Sequence, residues 1–425
     1  MELQTAKGCR DYAPEEKLLR DQIITQLKTM FERYGFAPLE TPTLERMETL
    51  SAKYAGGAEI LKETFKLKDQ GDRDLGLRYD LTVPLSRFVG MNPNLKLPFK
   101  RYELGKVFRD GPIKAGRLRE FWQCDVDTIG TKSMLADAEV VNLTVEFFRS
   151  IGLDVVIEVN SRKILDGIIA GLGVSEQLMI PVITAIDKIK KVEMVEIEKE
   201  LTGLGVSKSV VSSLFKAFGV TGTNMQRLNK LQLFIQSPAG KEGLQEMEEL
   251  MKYVDQDAVE FSPSLARGLA YYTGTVFEAF LKDTSFTSSL AGGGRYDSMI
   301  GAFLGGTKEY PAVGISFGIE PITEVMKKKQ QVTRKTPTQV YVIPIKTVQE
   351  CTGIVAELRR NGINADMDIM GRSLSKNLDY ANSMEIPYVI FVGPDELKQD
   401  KVKLREMASG KEQMVRVEDV AAKIK

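Results

Sequence analysis

The chain has 425 residues, 43% hydrophobic and 27% charged, enough for two or three domains with cores of their own. Its 58 basic and 58 acidic residues cancel, so no global field draws nucleic acid in, although local patches still can. Histidine is absent, which excludes Ser-His-Asp and Cys-His catalysis and histidine-ligated metals; the three scattered cysteines lack CxxC spacing and argue against a disulfide framework or a cysteine zinc site. The opening MELQTAKGCRDYAPEEKLLRDQ is charged and has no apolar core, unlike a signal peptide. No apolar run approaches the roughly 20 residues that span a bilayer, so no membrane role and a cytoplasmic location are expected. Residues 15–35 carry apolar side chains at helical spacing, among them Leu19, Ile23, Leu27 and Phe31, with Gly35 as the stop. A strand-like segment then runs to a turn-prone stretch at Pro42. Residues 73–90 predict a strand, then Tyr79, Asp80 and Thr82, then a helix opened by Thr82 and Pro84. Residues 101–130 predict a β-hairpin, and Ser133 to Leu153 an amphipathic helix. Residues 160–256 are predominantly helical inside an otherwise strand-rich region, and read as an inserted domain. Strands resume near Ala258. A charged linker over 326–337 separates residues 1–325 from 338–425, where VYVIPI, TVQECTGIVAELRRNG, INADMDI, SLSKNLDYANSM and YVIFVG alternate as βαβαβ.

The hairpin carries the most chemistry. Its first apolar run delivers Arg109, a turn follows with Gly111, Pro112 and Gly116, and the returning run carries Arg117, Arg119, Gln123, Asp125 and Asp127. Arginines flanking a loop, with acids and an amide behind them, suit a polyanion held beside a small polar ligand. The plain alternative is a solvated hairpin with surface ion pairs. Asp80 and Thr82, at a strand end that opens a helix, offer a carboxylate and a hydroxyl to a ligand ammonium; the plain alternative is helix capping. SLARGLAYYTGTVFE (264–278) sets Arg267 beside Tyr271 and Tyr272, a pattern that in isolation usually packs. In AGGGRYDSM (291–299) the glycines let backbone approach a ligand closely, next to Tyr296.

Together these strings carry a resemblance. RYELGKVFRDGPIKAGRLREFWQCDVDTIG resembles motif 2 of class II aminoacyl-tRNA synthetases, and in detail that of the histidyl-tRNA synthetase family. SLARGLAYYTG and AGGGRYD resemble two signatures peculiar to the histidine enzymes. The helix and strand before Pro42 resemble motif 1, the dimer interface, and GRSLSKNLDYANSMEIPYVIFVG resembles the anticodon-binding domain. The resemblance implies an α+β catalytic domain, an antiparallel sheet flanked by helices with a helical insertion, followed by a C-terminal α/β anticodon-binding domain. It implies that Arg109 clamps the α-phosphate and the amino-acid carboxylate, that Arg117 reaches the outer phosphates and that Phe121 stacks on adenine. Arg267 then neutralises the α-phosphate in place of a metal ion, which makes Arg109 and Arg267 the catalytic pair. Asp80 and Thr82 hold the α-amino group, and Tyr271, Tyr272 and Tyr296 line the histidine pocket. Asp127 and Tyr272, with Gln123 beside them, meet the ring nitrogens. ATP, Mg²⁺, histidine, histidine tRNA and a homodimer are implied, with no set of metal-ligating side chains identified. No protein base is needed for activation, because the nucleophile is already a carboxylate. The chain also departs from the family. Ala270 stands where aspartate is usual, and Asp127 where glutamate is. Gly111 replaces a glutamate, leaving Asp110 as the nearest adenine contact, and Pro321 replaces the arginine of motif 3. These departures define a second expectation: a weakened paralogue that senses histidine or regulates, without charging tRNA.

Overall fold

The computed structural model describes residues 2–51, 62–113, 118–189, 192–267, 271–283, 285–306, 308–329 and 334–424. Two compact units result: residues 1–10 with 23–325, and residues 11–22 with 326–425.

In the first unit the strands are β1 (Ala37–Pro38), β2 (Leu44–Arg46), β3 (Lys66–Lys68), β4 (Asp74–Leu77), β5 (Phe99–Phe108), β6 (Glu120–Ile129), β7 (Val155–Ser161), β8 (Val259–Phe261), β9 (Thr275–Leu281), β10 (Ala291–Arg295) and β11 (Ala312–Gly318). Eight of them form one sheet in the order β1-β5-β6-β11-β10-β9-β7-β8, and β2-β4-β3 form a small one. From β5 across to β7 every pairing is antiparallel. β1 and β8 join the two edges in parallel. The expected antiparallel sheet is thus mixed at its edges, because β5 and β8 each return to a neighbour through a long crossover, and a crossover delivers a parallel strand.

β5 and β6 pair over ten residues, with Arg101 opposite Asp127, Glu103 opposite Asp125 and Gly105 opposite Gln123. Alternation sends these polar side chains to one face and Tyr102, Cys124 and Val126 to the other. On that second face Phe317 of β11 packs against Phe31 of the helix Pro14–Arg33, at a ring separation of 5.7 Å. It also meets Phe147 and Phe148 of the helix Met134–Ser150, at 5.3 and 6.0 Å. Each such ring contributes about 1.5–3 kcal/mol through burial. The polar face has a trough instead, because β10 and β11 present glycines to it. A Cβ at Gly314 would lie 2.0 Å from Asp127 Oδ1, one at Gly292 2.6 Å from Arg267 Nη1, and one at Gly294 2.7 Å from Tyr272 Cδ1.

Among the described residues, six α-helices between Arg162 and Tyr253 lie between β7 and β8. Their residue Asn224 covers the open edge of β8, accepting from Phe261 N–H and donating to Val259 C=O, both at 2.9 Å. No single helix among the described residues is long and apolar enough to cross a membrane, although the bent pair Arg162–Gly171 and Glu176–Ile186 passes on length and composition.

The second unit holds β12 (Val340–Pro344), β13 (Ala365–Met367), β14 (Tyr388–Val392), β15 (Val402–Glu406) and β16 (Glu412–Val415). Their order is β13-β12-β14-β15-β16, parallel about β12 and antiparallel thereafter. β12 is buried on both faces: Val340 and Val342 pack with the helix Val348–Arg360, Tyr341 and Ile343 with Ala381 of the helix Leu374–Ser383. The antiparallel β15 and β16 lie outside the βαβαβ pattern read from the sequence.

Candidate active site

The trough on the polar face opens into a cavity of about 140 Å³ floored by β6, β11 and β10. Every residue expected to bind histidine lines it: Asp80, Thr82, Arg109, Gln123, Asp127, Arg267, Tyr271, Tyr272 and Tyr296. A second cavity of about 390 Å³ adjoins it, and the two share Arg109, Gln123, Arg267, Gly292 and Ser316. Phe121 and Pro321 line the second cavity. Arg117 and Ala270 lie outside the described residues, so the structure says nothing of them.

Arg109 ends the first hairpin strand and is held by stacking. Its guanidinium lies 4.2 Å from the ring centre of Tyr79 and 4.9 Å from that of Phe121. Its Nε donates to Tyr79 C=O at 3.3 Å. Arg119, at the start of the returning segment, holds the end of the first strand. Arg119 pairs with Asp110 at 3.0 Å, its backbone N–H donates to Gly8 C=O at 2.8 Å, and its carbonyl accepts from Arg109 N–H at 2.8 Å. Asp110 is therefore engaged with Arg119 and lines neither cavity, contrary to its expected place as an adenine contact. Arg267 stands on the wall common to both cavities, 3.6 Å from Glu278 and over the Tyr272 ring. Its Nη1 is buried and has no hydrogen-bond partner among the described residues.

Asp80 combines the two alternatives read from the sequence. Its Oδ1 accepts from the N–H groups of Thr82 and Val83, at 3.1 and 2.9 Å, and so caps the helix Thr82–Met91 while lining the cavity. The N-cap position is Leu81, and the capping side chain is that of the aspartate before it, not the threonine.

The floor is densely charged. Arg101, fully buried, lies 2.8 Å from Asp127 and 3.5 Å from Glu103. Glu103 also pairs with Arg78 at 3.0 Å. Tyr296 donates to Asp127 Oδ1 at 2.5 Å. Burial raises the pKa of Asp127, against the pull of Arg101 and the Tyr296 hydrogen bond. Burial likewise raises Asp80, against the N–H of Val83 and the charge of Arg109. Asp125 is pushed up to about 7, first by burial and then by Asp127, with Arg101 and Ser316 opposing. Tyr271 and Tyr296 are lifted well above the usual tyrosine value, chiefly by burial, so both hydroxyls keep their protons at working pH.

Around the second cavity β11 ends at Gly318 and turns into the helix Ile319–Lys328. The last β11–β6 pair is Gly318 with Gln123, which leaves Trp122 without a partner on β11. The Glu320 carboxylate takes its N–H, both oxygens accepting at 3.3 Å. Pro321 folds back over Gly318, where a Cβ would meet its Cγ at 2.7 Å. The cationic side chains facing this cavity among the described residues are Arg109 and Arg267.

Four residues of the site went unassigned in the sequence: Tyr79, which supports Arg109, the buried Arg101, Asp125, and Ser316. Period-two alternation held the signal for Asp125, which lies between Gln123 and Asp127 on the same face. Arg101 follows from the same alternation once the hairpin register is known.

The histidyl-tRNA synthetase family model matches residues 8–322, and the anticodon binding domain matches residues 339–425. Histidine–tRNA ligase 1 of Bacillus cereus is 43% identical over 427 residues, covering 99% of each chain. A histidine–tRNA ligase of Clostridium tetani is 34% identical, covering 98% of this chain and 97% of its own. Among solved structures, the histidyl-tRNA synthetase of Nostoc sp. PCC 7120 is similar at a TM-score of 0.89 and 29% identity, over 100% of this chain and 99% of that one. A protein described as an ATP phosphoribosyltransferase regulatory subunit/histidyl-tRNA synthetase, from Bacillus halodurans, shares the fold at a TM-score of 0.75 and 24% identity, over 92% and 98% of the two chains.

Proposed function

The chain belongs to the histidyl-tRNA synthetase family, and we propose that it acts as a histidine–tRNA ligase. It activates histidine with ATP to histidyl-adenylate and pyrophosphate, then transfers the histidyl group to the terminal ribose of histidine tRNA. The observation that carries this reading is the pair of joined cavities, one sized and lined for an amino acid, the other open enough for a nucleotide, with Arg109 and Arg267 on their common wall.

Catalysis here is positioning and charge neutralisation. The histidine carboxylate, oriented by Arg109, attacks the α-phosphorus in line; an oxygen–phosphorus bond forms and the bond to the β-phosphate breaks. Arg267, with an unpartnered Nη1, supports the charge that builds on the α-phosphate. Asp80 and Thr82 take the α-amino group. Tyr271, Tyr272 and Tyr296 enclose the ring, and Asp127 and Gln123 supply polar contacts to it. Arg117 reaches toward the outer phosphates, while Phe121 supports the adenine. Among the described residues no group of three or more His, Cys, Asp or Glu side chains is placed to hold a metal ion. Mg²⁺ would be carried on the phosphates of ATP and offset the charge of the leaving pyrophosphate, as suits an ion that seldom has an all-protein cage. Residues 338–425 read the anticodon region of the tRNA, residues 160–256 form an inserted helical module, and the protein works as a cytoplasmic homodimer joined through the 14–42 segment.

In Arg267→Ala, histidine-dependent ATP–pyrophosphate exchange should fall at least about a hundredfold. Exchange at the wild-type rate would sink the assignment. One observation favours a second reading. Pro321 stands where motif 3 carries an arginine, which suits a paralogue that binds histidine and regulates without charging tRNA. Aminoacylation of histidine tRNA separates the two: robust charging supports the ligase, while histidine binding without charging supports the sensor.

A further inference from the structure

The guanidinium of Arg267 has a weak hold of its own. Its Nε lies 3.6 Å from Glu278, just past hydrogen-bond reach, and its centre lies 5.4 Å from the Tyr272 ring centre. Its Nη1 is buried without a hydrogen-bond partner among the described residues. The residue closes a stretch, 262–267, that is neither helix nor strand, and such a stretch stands where its backbone is tied. The ties come from β7. Val159 C=O accepts from Ser262 N–H at 2.9 Å. The next side chain on the strand, Asn160, donates through Nδ2 to both Pro263 C=O and Leu265 C=O, each at 2.9 Å. Both partners can only accept, so the orientation of the amide is fixed.

Asn160 is fully buried and lines neither cavity. Its strand is paired on both sides, to β8 and to β9, and so is a firm base. On β9, Val276 lies opposite Asn160 and Glu278 opposite Glu158; cross-strand partners share a face, so Asn160 stands on the face that carries Glu278. Its Oδ1 has no hydrogen-bond partner among the described residues, and a bare buried oxygen costs stability. What the amide contributes at this position is therefore its two N–H donors. We infer that Asn160 is a positioning residue for Arg267: by holding the carbonyls of Pro263 and Leu265 it sets where the guanidinium stands on the wall common to both cavities, without itself touching substrate. The inference rests on the ligase reading above, which gives Arg267 the α-phosphate. Displacing a group that stabilises a transition state by about 1 Å can cost roughly a hundredfold in rate, so a clamp two residues away is enough to matter.

The test is a double-mutant cycle on kcat for histidine-dependent ATP–pyrophosphate exchange in the full-length protein, using the wild type, Asn160→Ala, Arg267→Ala and the double variant. Asn160→Ala should lower kcat at least about tenfold when Arg267 is present, with the KM for histidine held within about twofold, and by less than about twofold when Arg267 is already gone. A loss of folded protein would lower both backgrounds by the same factor, so this asymmetry reports a role exerted through Arg267. Asn160→Ser, which keeps one donor, should recover part of the kcat, and it carries the same cycle where the alanine variant does not fold. Equal losses in the two backgrounds, or an unchanged kcat in Asn160→Ala, would overturn the inference and leave the ligase reading intact. Failure of both variants to fold would make Asn160 a scaffold residue and overturn the inference as well. Absence of histidine-dependent exchange in the wild type would overturn the ligase reading and the inference with it.

Discussion

Asp125 in the first unit and Asp368 in the second are each 5% exposed, yet their chemistry runs in opposite directions. Asp368 accepts from the N–H groups of Met370 and Arg372 at 2.9 and 2.7 Å, and from Asn377 Nδ2 at 3.0 Å. Burial would raise its pKa, but these hydrogen bonds and the charge of Arg372 outweigh burial and leave it lowered. Asn377 in turn accepts from the buried Tyr341 hydroxyl at 3.1 Å. That network is closed on itself, and it locks the segment between β13 and the helix Leu374–Ser383. Around Asp125 the network is open, with an oxygen unpartnered and a pKa raised to about 7. A closed buried carboxylate supports structure, and an open one marks a place for a ligand.

The largest expected effect comes from removing the guanidinium buried among the acids of the floor. Arg101→Leu leaves Asp127 without its buried cation and Glu103 with Arg78 alone, and should destabilise the first unit by about 3–5 kcal/mol in urea unfolding. A cost below about 1 kcal/mol would mean that the floor is wetter than its geometry indicates. Next comes the closed network: Asp368→Ala orphans two backbone N–H groups and an amide, and should lower the stability of the second unit by about 2–3 kcal/mol. Hydrogen exchange at Met370 and Arg372 should accelerate while pyrophosphate exchange is retained. The smallest effect has the opposite sign. In the folded, ligand-free protein Asp125 holds its proton up to about pH 7, whereas in the unfolded chain it releases it near the ordinary value of 3.8. Between those two values the folded state binds more protons, so this group favours folding at low pH and opposes it as pH rises through 7. Asp125→Asn should therefore raise Tm slightly at pH 8, by an amount corresponding to about 1 kcal/mol, and flatten the decline of Tm between pH 5 and 8. A lowered Tm at pH 8 would put Asp125 in the same class as Asp368 and erase the comparison.

Much of the site could be read from the chain because it is built from local patterns. Ten-residue alternation in β5 and β6 fixes which side chains share a face, and the turn residues between them fix the hairpin. Arg267 and the two tyrosines stand beside a strand whose partner, β10, is marked by its glycines. What the chain withheld depends on distant partners. Asp127 is engaged by Tyr296, 169 positions away, and Trp122 N–H by Glu320, 198 positions away. No local pattern says which of two neighbouring acids such partners will take, so the engagement of Asp127 rather than Asp125 by Tyr296 is not legible in the spacing. Asp110 illustrates the same rule at short range. Its pairing with Arg119 goes with the contact that Arg119 makes with Gly8, which the spacing of charges alone does not reveal.

The glycines of β10 and β11 have a consequence for anyone who wishes to alter the amino acid that this protein selects. At 292, 294 and 314 a side chain as small as a methyl group would strike Arg267, Tyr272 or Asp127. Those positions can shut the cavity but cannot retune it. Redesign must come from the one strand that offers replaceable polar side chains, at 123 and 125, and from Ser316 across from them. A library restricted to these three positions samples nearly all the variation the floor can accept. It leaves untouched Arg109 and Arg267, which line both cavities.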